Sequence, residues 1–90
     1  MQFEWDAAKA AANLSKHGVS FDEARTVFDD PLYVDFYDPD HSGEEQRYIM
    51  VGQSQPGRLL MVSFTERNNT TRIINAREVT RAERKAYEEG

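Results

Sequence analysis

Residues 58–77 read Arg-Leu-Leu-Met-Val-Ser-Phe-Thr-Glu-Arg-Asn-Asn-Thr-Thr-Arg-Ile-Ile-Asn-Ala-Arg, and this stretch sets the architecture. Two runs rich in β-branched and aromatic residues, 58–66 and 71–77, flank Asn68-Asn69, a pair suited to the tip of a tight hairpin. Upstream, Gln55-Pro56-Gly57 is a turn that joins the hairpin to a further strand over 45–53. The Asp-Pro-Asp-His-Ser-Gly-Glu loop at 38–44 leads back to another strand at 32–37. A meander of four strands results. Before it lie an extended segment at 2–5 and two short helices. Asp6 stands where an N-cap belongs, ahead of the alanine-rich stretch 7–16, and Gly18 ends that helix. Ser20-Phe21-Asp22-Glu23 fits a capping box for a second helix that Pro31 stops, and Thr80-Arg81-Ala82-Glu83 fits another that opens a last helix to about Glu89. The order β-α-α-β-β-β-β-α predicts an α+β domain: an antiparallel sheet of about four strands with two N-terminal helices and one C-terminal helix packed on one face.

At 90 residues the chain has room for one domain, spanning 1–90, and 39% hydrophobic residues suffice for a core. Without cysteine there is neither a disulfide framework nor a thiolate metal site, and His17 and His41 lie too far apart for a local ligand pair. No apolar run approaches the roughly 18 residues of a membrane span, and the first residues lack the pattern of a signal peptide. A reduced, cytoplasmic protein is the expectation. The formal net charge of -5 conceals a sharp split. Seven acids and no lysine or arginine fall between Asp29 and Glu45, whereas Arg58 to Lys85 carries seven bases against three acids, a local balance of 7 − 3 = +4. Binding of nucleic acid depends on such a local basic block rather than on the total.

Several groups could carry chemistry. Lys9, Asn13, Lys16 and His17 fall at i, i+4, i+7 and i+8, one polar stripe of the first helix opposite Ala7, Ala10, Ala11 and Leu14. That stripe equally suits the solvent side of an amphipathic helix. Arg67 and Arg72 are near neighbours across the Asn68-Asn69 hairpin. Arg72 and Arg77 have opposite parity, so in a regular strand they point to opposite faces unless a bulge or the strand end intervenes. Arg77, Arg81 and Arg84 would line one side if helical spacing began at Arg77. Arginine suits phosphate because its planar fork donates two hydrogen bonds and stays charged, so the cluster resembles an RNA-phosphate site, or docking points for an acidic partner. Asp38, Asp40, Glu44 and Glu45 do not follow the calcium-loop pattern and read as a solvated loop, leaving no expected metal or cofactor.

Longer segments carry a family resemblance. Phe3-Glu4-Trp5-Asp6, Lys9, Asn13 through Phe21, Ala24, Val27-Phe28, Asp30-Pro31, Glu45-Gln46-Arg47, Gly52, Thr65-Glu66-Arg67, Arg72 through Arg77, and Glu83-Arg84 through Tyr87 follow the order of one pattern. By them the chain resembles the toxins of the BrnT/BrnA type II toxin-antitoxin systems. Where many relatives read Ile-Ser-Ala-Arg-Lys, this chain has Ile74-Asn75-Ala76-Arg77-Glu78. The resemblance implies a compact RelE-like ribonuclease that needs no metal, cuts RNA, halts translation and is neutralised by a BrnA-like ribbon-helix-helix antitoxin, reaching DNA only through that complex. It further implies Arg67 and Arg77 as charge stabilisers, and His17 as acid-base group with Glu66 as the alternative base. Lys9, Lys16, Arg47, Arg72 and Arg81 are then the RNA contacts. A catalytically silent module, acting in autoregulation with its antitoxin, is the alternative.

Overall fold

The computed structural model describes residues 1–43 and 45–90. Glu44, the last residue of the loop expected at 38–44, lies outside the described residues. Its strands are β1 (Gln2–Glu4), β2 (Val34–Asp38), β3 (Arg47–Gln53), β4 (Leu59–Arg67) and β5 (Thr70–Glu78), and its helices are α1 (Ala7–His17), α2 (Phe21–Thr26) and α3 (Arg81–Glu89). A 3₁₀ turn, Val27–Asp29, extends α2 towards Pro31.

The local signals act as the residues dictate. Asp6 accepts the Lys9 N–H at 2.9 Å, and Gly18 closes α1 in a left-handed conformation with φ 68°. Asn68 and Asn69, at φ 53° and 65°, make the two-residue turn whose twist matches the flanking strands. Thr80 and Glu83 complete the reciprocal capping box of α3. The box expected at Ser20 is only half formed. Ser20 Oγ accepts the Glu23 N–H at 3.0 Å, but the Glu23 carboxylate turns away to Arg58 and Ser54. A guanidinium fork is a stronger partner for a carboxylate than one backbone N–H.

The sheet differs from the expected antiparallel four. Its order is β1-β5-β4-β3-β2, and β1 adds a fifth strand that pairs parallel to β5, from Gln2↔Thr70 to Glu4↔Arg72. Between these two strands the chain makes the whole of α1, α2 and the meander, so no local signal predicts the pairing. Beyond Glu4 no strand of the described residues lies beside the outer edge of β5, and Asn13 takes that place. Its amide donates to Ala76 O at 2.8 Å and Val19 O at 2.9 Å and accepts the Ala76 N–H at 3.1 Å. Asn13 is only 7% exposed, which corrects its placement on a solvent-facing stripe. The inward side of α1 is Ala10, Asn13 and His17, and Leu14 stands out in solvent.

One face of the sheet packs Met50, Leu60, Val62, Phe64, Ile73 and Ala76 against Val19, Phe21, Ala24 and Val27 of the α1–α2 layer. β3 passes so close beneath the 3₁₀ turn that a Cβ on Gly52 would come within 2.9 Å of Val27 Cγ1. The helices do not share this face, as the element order had suggested. α3 lies across one end of the opposite face, where Gly90 abuts Val34 and Glu83 bonds Arg77. Val34 pairs with Val51, which pairs with Met61, which pairs with Arg77, and both Val51 and Met61 are buried. Tyr87 donates to Asp30 Oδ2 at 2.6 Å and ties α3 to the turn before β2. Among the described residues, no α-helix lies on the rest of this second face, towards the hairpin.

Candidate functional site

A β-bulge decides which side chains share that open face. β4 and β5 pair as Ser63↔Asn75 and then Phe64↔Ile73, so Ile74 is an extra residue in β5. The parity rule would have sent Arg72 and Arg77 to opposite faces. The bulge restores both to the open one, Arg72 opposite Thr65 and Arg77 opposite Met61. Arg67, opposite Thr70, is on this face too, and so is Arg47, two residues before Ile49, which pairs with Ser63. Arg47, Arg67 and Arg72 therefore surround Thr65 at the uncovered end of the sheet. Glu4 flanks them on β1, beside Arg72, and Asp38 flanks them on β2, beside Arg47.

Their partners are loose. Arg67 meets Glu45 at 3.1 Å with both side chains about half exposed, and Arg72 reaches Glu4 only at 3.8 Å. The first is an exposed pair and the second a long one with Arg72 half-buried, and such pairs contribute little to stability. Arg77 is held differently. It donates to both oxygens of Glu83 at 2.8 and 2.9 Å and to Glu78 O at 3.1 Å. The Arg77 fork holds the Glu83 carboxyl below its ordinary pKa and Glu83 raises that of Arg77, in each case against partial burial. Arg81 is exposed at the first turn of α3, and Arg77 lies in β5, so no helical spacing links Arg77 to Arg81 and Arg84. Arg58 leaves the basic block altogether: its guanidinium bonds Glu23 through Nε at 3.0 Å and Gly18 O at 3.0 Å, and it clamps β4 to α2. Glu66, opposite the buried Thr71, points to the face opposite Arg67 and Arg72.

Beside the bulge, Lys9, Asn13, Lys16 and His17 of α1 and Ile74 and Asn75 of β5 line a shallow cleft of about 180 Å³. Lys9 and Lys16 are exposed and His17 half-buried, so two ammonium groups and one imidazole border it. The cleft adjoins the arginine face. The Asp6 carboxyl at the start of α1 is lowered first by its bond from the Lys9 N–H, and among its weaker influences are the charges of both Lys9 and Arg72. Asn75 has a buried Oδ1 with no hydrogen-bond partner among the described residues. Glu45 beside Arg67 and Glu4 beside Arg72 have no mark in the sequence, because both pairs depend on contacts between residues more than 20 apart along the chain. Among the described residues, no group of three or more His, Asp or Glu side chains is placed to hold a metal ion. Among the described residues no helix is long and apolar enough to cross a membrane.

The chain is a small α+β domain with arginines at the open end of one sheet face and lysines along an adjoining helix. Residues 5–83 match the family described as the ribonuclease toxin, BrnT, of type II toxin-antitoxin systems, and the chain belongs to that family. Its fold is similar to the crystal structure of the Brucella abortus ribonuclease toxin, BrnT, with a TM-score of 0.66 over 90% of this chain and 99% of that one, at 19% identity. No curated protein matches the chain.

Proposed function

We propose that this toxin cleaves RNA by internal attack of the 2'-hydroxyl on the adjacent phosphate, needs no metal, and thereby blocks translation in the cytoplasm. The observation that carries the reading is the bulge at Ile74, which turns Arg72 to the same face as Arg47 and Arg67 and brings that face up to the Lys9–Lys16–His17 cleft. In the reaction the 2'-oxygen bonds to phosphorus while the bond from phosphorus to the 5'-oxygen breaks. A base takes the 2'-proton, and an acid returns one to the 5'-oxygen. Negative charge grows on the phosphorane, and arginines aimed at it supply the electrostatic stabilisation. Arg67 and Arg72 have the loosest partners and are assigned to that charge. Arg77 joins them only by leaving Glu83. Arg47, Lys9 and Lys16 hold neighbouring phosphates, with Arg81 a peripheral contact. His17 is the acid-base group, because it is the one imidazole bordering the cleft and an imidazole can both take and give a proton. Glu66 takes no part, since it faces away.

The type II family implies an antitoxin partner, and we assign to it the ribbon-helix-helix class, with DNA reached only through the complex. Its docking segment covers Arg67 and Arg72 with acids or a helix C-terminus, so that association slows as salt rises. The test of the activity is direct. Purified chain incubated with RNA in EDTA is expected to yield fragments ending in 2',3'-cyclic phosphate. Cleavage lost in EDTA and restored by magnesium overturns the mechanism, and a folded chain with neither cleavage nor growth arrest is a binding module alone.

A further inference from the structure

A second surface lies at the far edge of the sheet from α1, and it has the opposite charge. β2 is the terminal strand, bonded to β3 from Val34↔Val51 to Asp38↔Arg47 and flanked by no strand on its other side. Among the described residues no backbone hydrogen bond covers that outer edge of 34–38. Six large apolar side chains stand exposed in the described structure, and four of them fall in or just before this strand: Leu32 at 69%, Tyr33 at 44%, Phe36 at 42% and Tyr37 at 50%. Phe36 lies on the open face beside Ile49, and Tyr37 lies on the other face, edge-on to Tyr48 at 5.9 Å. An edge built only to repel other chains is short, charged and stripped of apolar side chains. This one has aromatic rings on both faces and unpaired backbone between them.

Charge identifies the occupant. Asp35 lies between Val34 and Phe36 on the strand, Asp29 and Asp40 flank it in the turns, and none of the three makes an ion pair among the described residues. The sequence from Asp29 to Glu45 contains no lysine or arginine at all. A second copy of the chain, paired antiparallel about Phe36, would bring two such acidic blocks together, and like charges across strands are destabilising. Phosphate is repelled likewise. We propose that β2 is a docking edge for an extended, lysine- or arginine-bearing segment of a protein partner, which adds a sixth strand. Its backbone pairs with 34–38, its basic side chains on one face meet Asp35 and the flanking acids, and its apolar side chains on the other face lie on Phe36. The proposal does not rest on the proposed RNA cleavage: its contacts are the outer backbone edge of β2, Asp35 and Phe36, and the one neighbour it shares with the arginine face is Asp38, beside Arg47.

The test uses a fluorescein-labelled peptide, acetyl-Lys-Val-Lys-Val-Lys-Val-Lys-amide, titrated with the whole chain and followed by anisotropy. Binding is expected, with amides 34–38 protected from hydrogen exchange. Methylating alternate backbone nitrogens of the peptide should weaken binding about tenfold or more for one alternate set and little for the other, because only one edge of a strand faces its neighbour. Asp35→Lys should weaken it while leaving the thermal melt unchanged. Equal binding by both methylated peptides, equal binding by the peptide with glutamate for lysine, or no binding overturns the proposal. Concentration-dependent dimerisation that protects 34–38 assigns the edge to a second copy and overturns it too.

Discussion

Arg72 and Arg77 stand on the same face of the same strand, yet one end of that face is occupied and the other is open. At the α3 end, Arg77 is clasped by both oxygens of Glu83, Glu83 also caps the helix, and Val51 and Met61 are buried beneath. At the hairpin end, Arg72, as half-buried as Arg77, has one carboxylate at 3.8 Å, and the exposed Arg67 has one at 3.1 Å. An arginine is available to a ligand when its neighbours leave the fork unsaturated, and residue type alone does not say which. The helix that anchors Arg77 does not reach Arg67 and Arg72, which leaves their forks open for the role proposed for them.

The largest effect should break this comparison in two. Arg72→Ala is expected to lower the rate of RNA cleavage by about 10²-fold, in line with the loss of one preorganised charge donor, and to leave the melting temperature nearly unchanged. Arg77→Ala should lower stability, because it leaves the partly buried Glu83 unpaired. Cleavage rates and denaturant unfolding of both variants decide it. If Arg77→Ala abolishes cleavage while Glu83→Gln does not, Arg77 acts on the phosphate as well as on α3.

The next effect bears on the device that puts both arginines on one face. Asn13 holds the backbone of Ala76, two residues past the extra Ile74, so Asn13→Ala leaves buried N–H and C=O groups without partners. A loss of about 2–3 kcal/mol in urea unfolding is expected. Chemical shifts at 73–76 should change with it, and those at the Asn68-Asn69 turn should not. An unchanged unfolding midpoint would show that the bulge needs no support from α1.

The smallest effect sharpens the contrast through pH. Burial pushes the Asp30 carboxyl up, but bonds from the Gln53 N–H, Tyr87 and the Leu32 N–H outweigh it, so the net shift is downward. Its bond to Asp30 pushes Tyr87 up to about 12. A lowered carboxyl contributes stability at pH above its unfolded value, 3.8 for Asp30 and 4.5 for Glu83, and loses it as pH falls through the folded value. A raised phenol contributes below its unfolded value of 10.0 and loses that as pH rises towards about 12. Tyr87→Phe should therefore cost about 1 kcal/mol at pH 7, and the gap from the parent chain should close between pH 10 and 12. Arg67→Ala, at the open end, should show no such alkaline convergence.

What neighbours along the chain can settle is legible in residue order alone. Asp6 and Gly18 bound α1, Asn68 and Asn69 turn the hairpin, Thr80 and Glu83 start α3, and the segregation of acids at 29–45 from bases at 58–85 is plain without coordinates. Each is a contact within a few residues, where the geometry of the turn leaves one satisfactory partner. The tertiary structure decided the parallel docking of β1 on β5, the bulge at Ile74, the inward turn of Asn13, and the face that α3 covers. Those rest on partners up to 68 residues apart, as in Gln2↔Thr70. They are chosen by which backbone groups would otherwise be buried unpaired, and that is a property of the packed whole. Arg58 and Glu66 show the consequence. Both read as members of a basic or catalytic cluster in the sequence, and in the fold one clamps a helix and the other faces the opposite side of the sheet.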